Sequence, residues 1–444
     1  MPKIAFLFII FLSISKALLA DAQPVTLQDN NDYYEIGLNL NILEDPTGKL
    51  KIEDVNSPKY QKKFKKSQDK IPNFGFSTSS FWIKIIVNNK SQKKDWLFSY
   101  NYYNQDKITF FKKIGNAWEQ KTTGDIYTLK TREREERPFV FKVSPKEKTT
   151  YFFRIEGTDH QANISLVTEE KFQKLKIKEY IYFSIFSGLV LGLILYNFFI
   201  FVSTKSKSYL YYILYLIFFW FFLSLDMGFA QLLFFEKHPW FSNGGIAFFA
   251  CGACLFGLLF ATSYLKIETD LLLFKVLSWG SIFCLVSTLI ALIIPFFFSL
   301  KIMILNTLFV PITALYAGFY KLKNNYRPAK YFLIAFSTFI FGVIIYTLMI
   351  IDLLPNYPFI RNILPFSYSV EIILLSFGLA DSFNLIQEEA LEKEEKMRKF
   401  QQNYAKNLEK EVEERTKEIE EQKNNISNLL NYMSQSVFTI DAGG

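Results

Sequence analysis

Gly188-Leu-Val-Leu-Gly-Leu-Ile-Leu-Tyr-Asn-Phe-Phe-Ile-Phe-Val-Ser-Thr-Lys-Ser-Lys-Ser-Tyr-Leu-Tyr-Tyr212 runs from an apolar stretch through a short basic loop into a second apolar stretch. A hydrocarbon core ~30 Å thick takes about 20 apolar residues per helical crossing. Working outward, the same pattern repeats as far as Ile386, with spans at 181–202, 209–230, 244–264, 273–295, 300–320, 331–351 and 362–384. Gly, Pro and small polar residues interrupt the third and fifth spans, which membrane helices tolerate. The chain therefore reads as a multidomain membrane protein: a seven-helix transmembrane bundle with a polar, charged segment on each side.

Half of the 444 residues are hydrophobic, with 49 Phe and 25 Tyr, too much for one soluble core. The chain opens with Met1-Pro-Lys3, the apolar run Ile4 to Ile14, and Ala20-Asp21-Ala22, a signal-peptide pattern with cleavage expected before Gln23. An uncleaved anchor is the alternative, but the run is short for a span. Export of the N-terminal part and seven crossings place the C-terminus in the cytoplasm of a cell whose inner membrane holds the bundle. Loop charges agree. The inside loops hold Lys205, Lys207, Lys266, Lys275, Lys321, Lys323, Arg327 and Lys330, and the outside loops only Lys237, Lys301 and Arg361. Lys171, Lys174, Lys176 and Lys178 break the pattern, because they sit on the outer side just before the first span.

Residues 23–175 read as an exported β-sandwich. Strands are predicted at Phe81 to Val87, Trp96 to Tyr100, Lys107 to Phe111, Pro138 to Val143, Thr150 to Ile155 and Asn163 to Val167, in an antiparallel arrangement with frequent turns. The basic stretch Gln61 to Lys70 reads as a loop or short helix. Cys251, Cys254 and Cys284, the only cysteines, all fall in the membrane region, so this domain must hold itself together by packing. Lys and Arg outnumber Asp and Glu here, which suits an anionic partner or simple solubility. Tyr102, Tyr103 and Trp118, close to loops, are the candidate ligand-binding aromatics; Trp82, Trp96 and Tyr100 read as core.

The quoted Tyr196-Asn197 pair, basic loop and Ser208-Tyr209-Leu210-Tyr211-Tyr212 resemble the first two helices of the bacterial seven-transmembrane receptors with diverse intracellular signalling modules. Glu371-Ile-Ile-Leu-Leu-Ser-Phe-Gly-Leu-Ala-Asp381 is similar to that family's last helix. Phe81-Trp82-Ile83 and Thr150-Tyr-Phe-Phe-Arg-Ile-Glu156 are similar to its extracellular jelly-roll domain. The resemblance covers roughly residues 30 to 385. It implies a ligand-sensing receptor with a jelly-roll ectodomain and suggests a carbohydrate or other small-molecule ligand.

Charge at membrane depth is expensive and marks function or packing. Glu371 lies near the middle of the last span, with Tyr346, Thr347, Ser367, Tyr368 and Ser369 as expected neutral partners. A protonated Glu371 would lock helix packing, and a ligand or switch role is the alternative. Tyr196 and Asn197 are expected to bond between helices. Asp226, Asp352 and Asp381 lie near span ends, where charge is cheap, although Asp381 also opens the junction to the cytoplasmic segment and is kept as a switch candidate. Cys251-Gly-Ala-Cys254 reads as small-residue helix packing rather than redox chemistry. His160 and His238 are the only histidines, and no familiar zinc spacing or cofactor motif is present.

From Gln387 the chain turns to Glu, Lys, Gln and Asn. Ala390, Met397 and Tyr404 recur at seven, as do Val412, Ile419, Ile426 and Met433, with a stutter through Tyr404, Leu408 and Val412. This predicts a parallel coiled-coil homodimer over 387–433 continuing from the membrane bundle 176–386. Leu408 to Ile419 is similar to linker helices of bacterial sensors, and 434–444 resembles the start of an effector or PAS-like domain. Nothing catalytic is visible, so the chain does not read as an enzyme. The output is expected either to be cut short here or to pass through a separate cytoplasmic signalling protein. The competing reading is a transporter or channel built on intramembrane Glu371.

Overall fold

The computed structural model describes residues 22–441 apart from 240, 268–270, 351–352 and 355–356, so the expected signal peptide (except Ala22) and Asp352 lie outside the described residues. The chain divides into two compact units between Gly378 and Leu379.

The first unit begins with a β-sandwich. One sheet has the order β4 (Lys65–Lys66), β3 (Asn41–Asp45), β6 (Ser80–Asn89), β11 (Thr149–Glu156), β8 (Lys107–Ile114), β9 (Ala117–Thr123). The other runs β10 (Phe139–Val143), β7 (Trp96–Tyr100), β13 (Ile164–Val167), β2 (Tyr33–Glu35). A small pair, β5 (Asn73–Phe76) with β12 (Asp159–Gln161), stands apart. All six strands expected from alternation are present, within a residue or two at most ends. The short β1 to β5 and β12, and the mostly polar β9, carry too little apolar alternation to be read. Pairing is antiparallel with one exception: β1 (Val25–Leu27) joins the far end of β6 in parallel, beside β3. The stretch expected as loop or helix contains the end of α2 (Pro58–Gln61), which follows α1 (Ile52–Val55), and then β4.

Side chains alternate across a strand. Phe81, Ile83, Ile85 and Val87 of β6 meet Trp96, Phe98 and Tyr100 of β7 between the sheets, with Phe110, Phe139, Phe141 and Phe153. Trp82 and Phe152, on the opposite face, are covered by Ile52, Val55 and Phe64. Trp82, Trp96 and Tyr100 are core, as read. The outer face of the four-stranded sheet offers Leu97, Val140 and Val167, on which Phe172 sits. Phe172 belongs to α3 (Glu169–Thr204), so the first membrane helix is anchored on the sheet before it reaches the bilayer.

Seven helices among the described residues are long and apolar enough to cross a membrane. They are α3, α4 (Lys207–Asp226), α6 (Phe241–Tyr264), α7 (Leu271–Ala291), α8 (Phe296–Lys323), α9 (Ala329–Ile350) and α11 (Ile363–Asp441); short α5 (Phe229–Leu233) and α10 (Pro358–Arg361) lie between them. The second span ends at Asp226 rather than 230, because Gly228 turns the chain with φ +74°. The Gly, Pro and small polar residues of the third and fifth spans are tolerated as expected: α6 and α8 are continuous, α8 running through Pro311. Small residues set the helix spacing. A Cβ on Gly252 would lie 2.2 Å from the Phe218 ring, which explains the Cys251-Gly-Ala-Cys254 pattern as packing, and all three cysteines are free.

The second unit, Leu379–Gly444, is helical to Asp441. Lys396–Glu392 and Lys399–Glu395 pair one turn apart on its surface. Met397, Tyr404, Leu408, Val412, Ile419 and Ile426 are all exposed.

Candidate functional site

Two polar assemblies occupy the first unit. One joins the sandwich to the membrane helices; the other lies inside the bundle.

The joint is built on a pair of arginines. Arg137 precedes β10, and its side chain is 3% exposed. Its guanidinium lies over the rings of Tyr103 (4.3 Å) and Phe229 of α5 (4.2 Å). It donates to the Met227 carbonyl at 3.1 Å and pairs with Glu179 of α3. The planar guanidinium can stack and form directed bonds at once, which Lys cannot. Arg132 lies over Phe139 and donates to the carbonyl of Arg137 at 2.9 Å and to Gln231 Oε1 of α5 at 2.9 Å. Gln231 returns a bond to the Asp125 carbonyl at 2.9 Å. Burial pulls Arg132 down to about 10 despite nearby Asp125, and burial, then Asp106, pushes the Asp125 carboxyl well above its ordinary range. Gly228 is required at the turn: a Cβ there would meet Tyr103 Cβ at 2.8 Å.

Beside this, Asn104 donates to the Asp226 carbonyl at 3.2 Å, and Tyr346 of α9 donates to the Asp226 carboxylate at 2.9 Å. Tyr102 donates to Asp159. Burial pushes Asp159 up to about 6, against the opposing bond from Tyr102. Phe183 of α3 stacks on Phe229 with ring centres 3.8 Å apart, and Trp220 of α4 donates to Ser187 of α3. The loops of the sandwich, the α4–α5 turn and the outer half of α3 are thus one bonded assembly.

A groove of about 170 Å³ opens where α3 crosses the polar half of the four-stranded sheet. Its floor is Ser99, Asn101 and Ser165; Ser99 donates to Asn101 Oδ1 at 2.8 Å, and Asn101 donates to Ser165 at 3.2 Å. Tyr33 and Glu35 form one wall, and Lys176, Glu179 and Tyr180 of α3 the other, with Arg137 at the back.

The three aromatics singled out from sequence are not gathered in this groove. Tyr102 is tied to Asp159, and Tyr103 carries Arg137. Trp118 lies on the larger sheet and packs edge-on against Phe152 of that same sheet, with ring centres 5.5 Å apart. Ser99, Asn101 and Ser165 escaped sequence reading because outward polar positions on a strand, or just past its end as at Asn101, look like solvent-facing ones until a helix covers them.

Inside the bundle Glu371 is fully buried, and Tyr215 of α4 donates to its Oε2 at 2.8 Å. This partner lies 156 residues away in sequence and takes the place of the neighbours expected from α9 and α11. Tyr212 donates to the Ile372 carbonyl at 2.9 Å, and Tyr368 stacks on Phe219 with ring centres 4.0 Å apart. The expected interhelical bonds of Tyr196 and Asn197 are corrected. Tyr196 is 51% exposed on the outward side of α3, and Asn197, buried, bonds back to the Leu193 carbonyl of its own helix. Asp381 falls in the second unit.

The model of the extracellular 2 domain of the 7TMR-DISM proteins matches residues 37–169. The model described as 7TM diverse intracellular signalling matches residues 179–382. No curated protein matches the chain. The two matched regions meet at the joint between sandwich and helices and together span most of the chain. The sandwich is the extracellular domain of a multi-pass membrane protein, and the chain belongs to the seven-transmembrane receptors with diverse intracellular signalling.

Proposed function

We propose that this receptor binds a small, hydroxyl-rich molecule, a carbohydrate or a close relative, in the groove between the four-stranded sheet and α3. The observation that carries the reading is that Arg137 and Glu179 serve two structures at once: they line the groove and they bond the sandwich to the first and second membrane helices. A ligand seated on Asn101 and Ser165 competes for these groups and shifts α3 relative to the α4–α5 turn. The bundle repacks, and the change leaves through α11 into a parallel coiled coil in the cytoplasm. The chain itself carries out no catalysis; it acts on a separate effector or one joined to the coil. The membrane is the cell's inner membrane, with the sandwich on its periplasmic side.

The test is the full chain in nanodiscs, with a cyclase reporter fused after the coil, titrated with a panel of hexoses, pentoses and sugar alcohols. Thermal stabilisation and reporter output that are both lost in Asn101→Ala support the reading. Stabilisation unaffected by Asn101→Ala moves the site elsewhere. Stabilisation without reporter output rejects the signalling route. An inert panel rejects the ligand class.

A further inference from the structure

The four lysines before the first span remain unexplained by ligand binding, and they break the charge rule on the outer side of the membrane. In the structure they divide. Lys176 turns to the sandwich and pairs with Glu136 at 2.8 Å. Lys174 and Lys178 lie one turn apart on the exposed side of α3. Among the described residues Lys174 forms an ion pair with Glu170 across an open i,i+4 contact, which holds it weakly, with Asp32 acting on it from further off. Lys178 makes no ion pair among the described residues and lies over the Tyr182 ring at 5.7 Å. Directly below, Ile177, Ile181 and Ile185 are 58%, 52% and 67% exposed. They border an open trough of about 370 Å³ that also takes in Lys176, Tyr180 and Ser184.

We propose that this upper part of α3 is a docking site for an acidic phospholipid of the outer leaflet. Lys174 and Lys178 hold the headgroup phosphate, Tyr182 sits at the interface, and one acyl chain lies in the isoleucine trough. The charge argues for an acidic lipid, because two cations meet the headgroup, and of the acidic groups near Lys174 Glu170 is held only by an exposed contact and Asp32 acts without an ion pair to it. The apolar floor argues for a lipid rather than free phosphate, because it gives an inorganic ion nothing to bind. The site has a consequence for the receptor. Lys176 and Glu179, on the same two turns, tie α3 to Glu136 and Arg137, so a bound lipid fixes the depth of the helix that the sandwich holds.

The experiment uses the full chain in nanodiscs of phosphatidylcholine alone or with phosphatidylglycerol mixed in. Bound lipid is read by native mass spectrometry, and stability by thermal melting. Phosphatidylglycerol is expected to co-purify in preference and to raise the melting midpoint. Lys174→Gln with Lys178→Gln should weaken its binding roughly tenfold, whereas Lys207→Gln, at the other end of the membrane, should leave it unchanged. Equal retention of the two lipids overturns the proposal, as does a double variant that keeps the preference. Inorganic phosphate reproducing the stabilisation in phosphatidylcholine discs would show a free-anion site and also overturn it. So would lipid-independent cross-linking of Gly188→Cys between chains, which would show the face to be covered by a second copy.

Discussion

The joint at the membrane surface and the polar centre of the bundle bury ionisable groups in opposite ways. At the joint, Arg137 alone meets two rings, a carbonyl and a carboxylate, and Arg132, Gln231 and Asn104 add bonds across the same boundary. In the bundle, Glu371 accepts one side-chain hydrogen bond among the described residues, from Tyr215. The joint is dense and redundant, as suits a contact that must transmit force between two domains. The bundle centre is sparse, as suits helices that can repack at low cost. The contrast predicts that damage to the joint is severe and damage to the centre graded.

The largest expected effect follows Arg137→Ala. It removes both ring contacts and the bond to the Met227 carbonyl, and leaves the solvent-screened Glu179 without its cation, so a loss of about 2–4 kcal/mol is expected. Thermal melting of the full chain in nanodiscs measures it. Arg137→Lys should recover only part, because an ammonium group cannot stack and bond to carbonyl and carboxylate together. Equal stability for Ala and Lys would show that charge alone matters and that the stacking geometry is incidental.

Next comes the pH response of the joint. Asp159 has its folded value pushed up from 3.8 to about 6, first by burial. Its surroundings on the sandwich are Tyr102, which bonds it, and Asp106. A carboxyl raised on folding stabilises the folded state fully below its unfolded value, and that stability is lost as pH rises through the folded one. Melting should therefore weaken between about pH 4 and 6, by on the order of 2–3 kcal/mol. Asp159→Asn, which keeps an acceptor for Tyr102, should flatten this part of the curve. A variant with an unchanged slope would place the response on another group.

How much of this could be read from the chain differs sharply between the two regions. The spans were legible because a hydrophobic run of about 20 residues has one cheap solution in a bilayer. The long strands were legible through alternation, as in Phe81 to Val87. The arginines of the joint were not. Arg132 and Arg137 stand in Thr131-Arg-Glu-Arg-Glu-Glu-Arg137, which reads as a solvated charged loop, and only docking against the α4–α5 turn turns them inward. Glu371 was legible as a costly residue, but its partner was not, because nothing local in Tyr215 distinguishes it from Tyr209, Tyr211 or Tyr212 on the same helix.

In the bundle the expected effects are smaller. Tyr215→Phe removes the donor to Glu371 Oε2 and leaves a buried acceptor unserved, at a cost of about 1–2 kcal/mol. Reporter output in a cyclase fusion should change with it if the centre takes part in repacking, and melting alone should change if it is only glue.

The smallest effect separates the receptor from its rival. A transporter or channel that uses Glu371 needs the carboxyl to exchange a proton or an ion, so Glu371→Gln should abolish flux in proteoliposomes. A receptor that uses Glu371 to hold helices needs only an acceptor oxygen for Tyr215. Gln supplies one with the same side-chain length, so Glu371→Gln should stay within about 0.5 kcal/mol of the parent by melting and should keep ligand-dependent output. Glu371→Ala, which removes the acceptor and leaves the Tyr215 hydroxyl buried without it, should then resemble Tyr215→Phe rather than Gln. If Gln behaves like Ala in output while melting like the parent, the ionisable proton itself is part of the signal, and the sparse bundle centre is the working element rather than the dense joint that drives it.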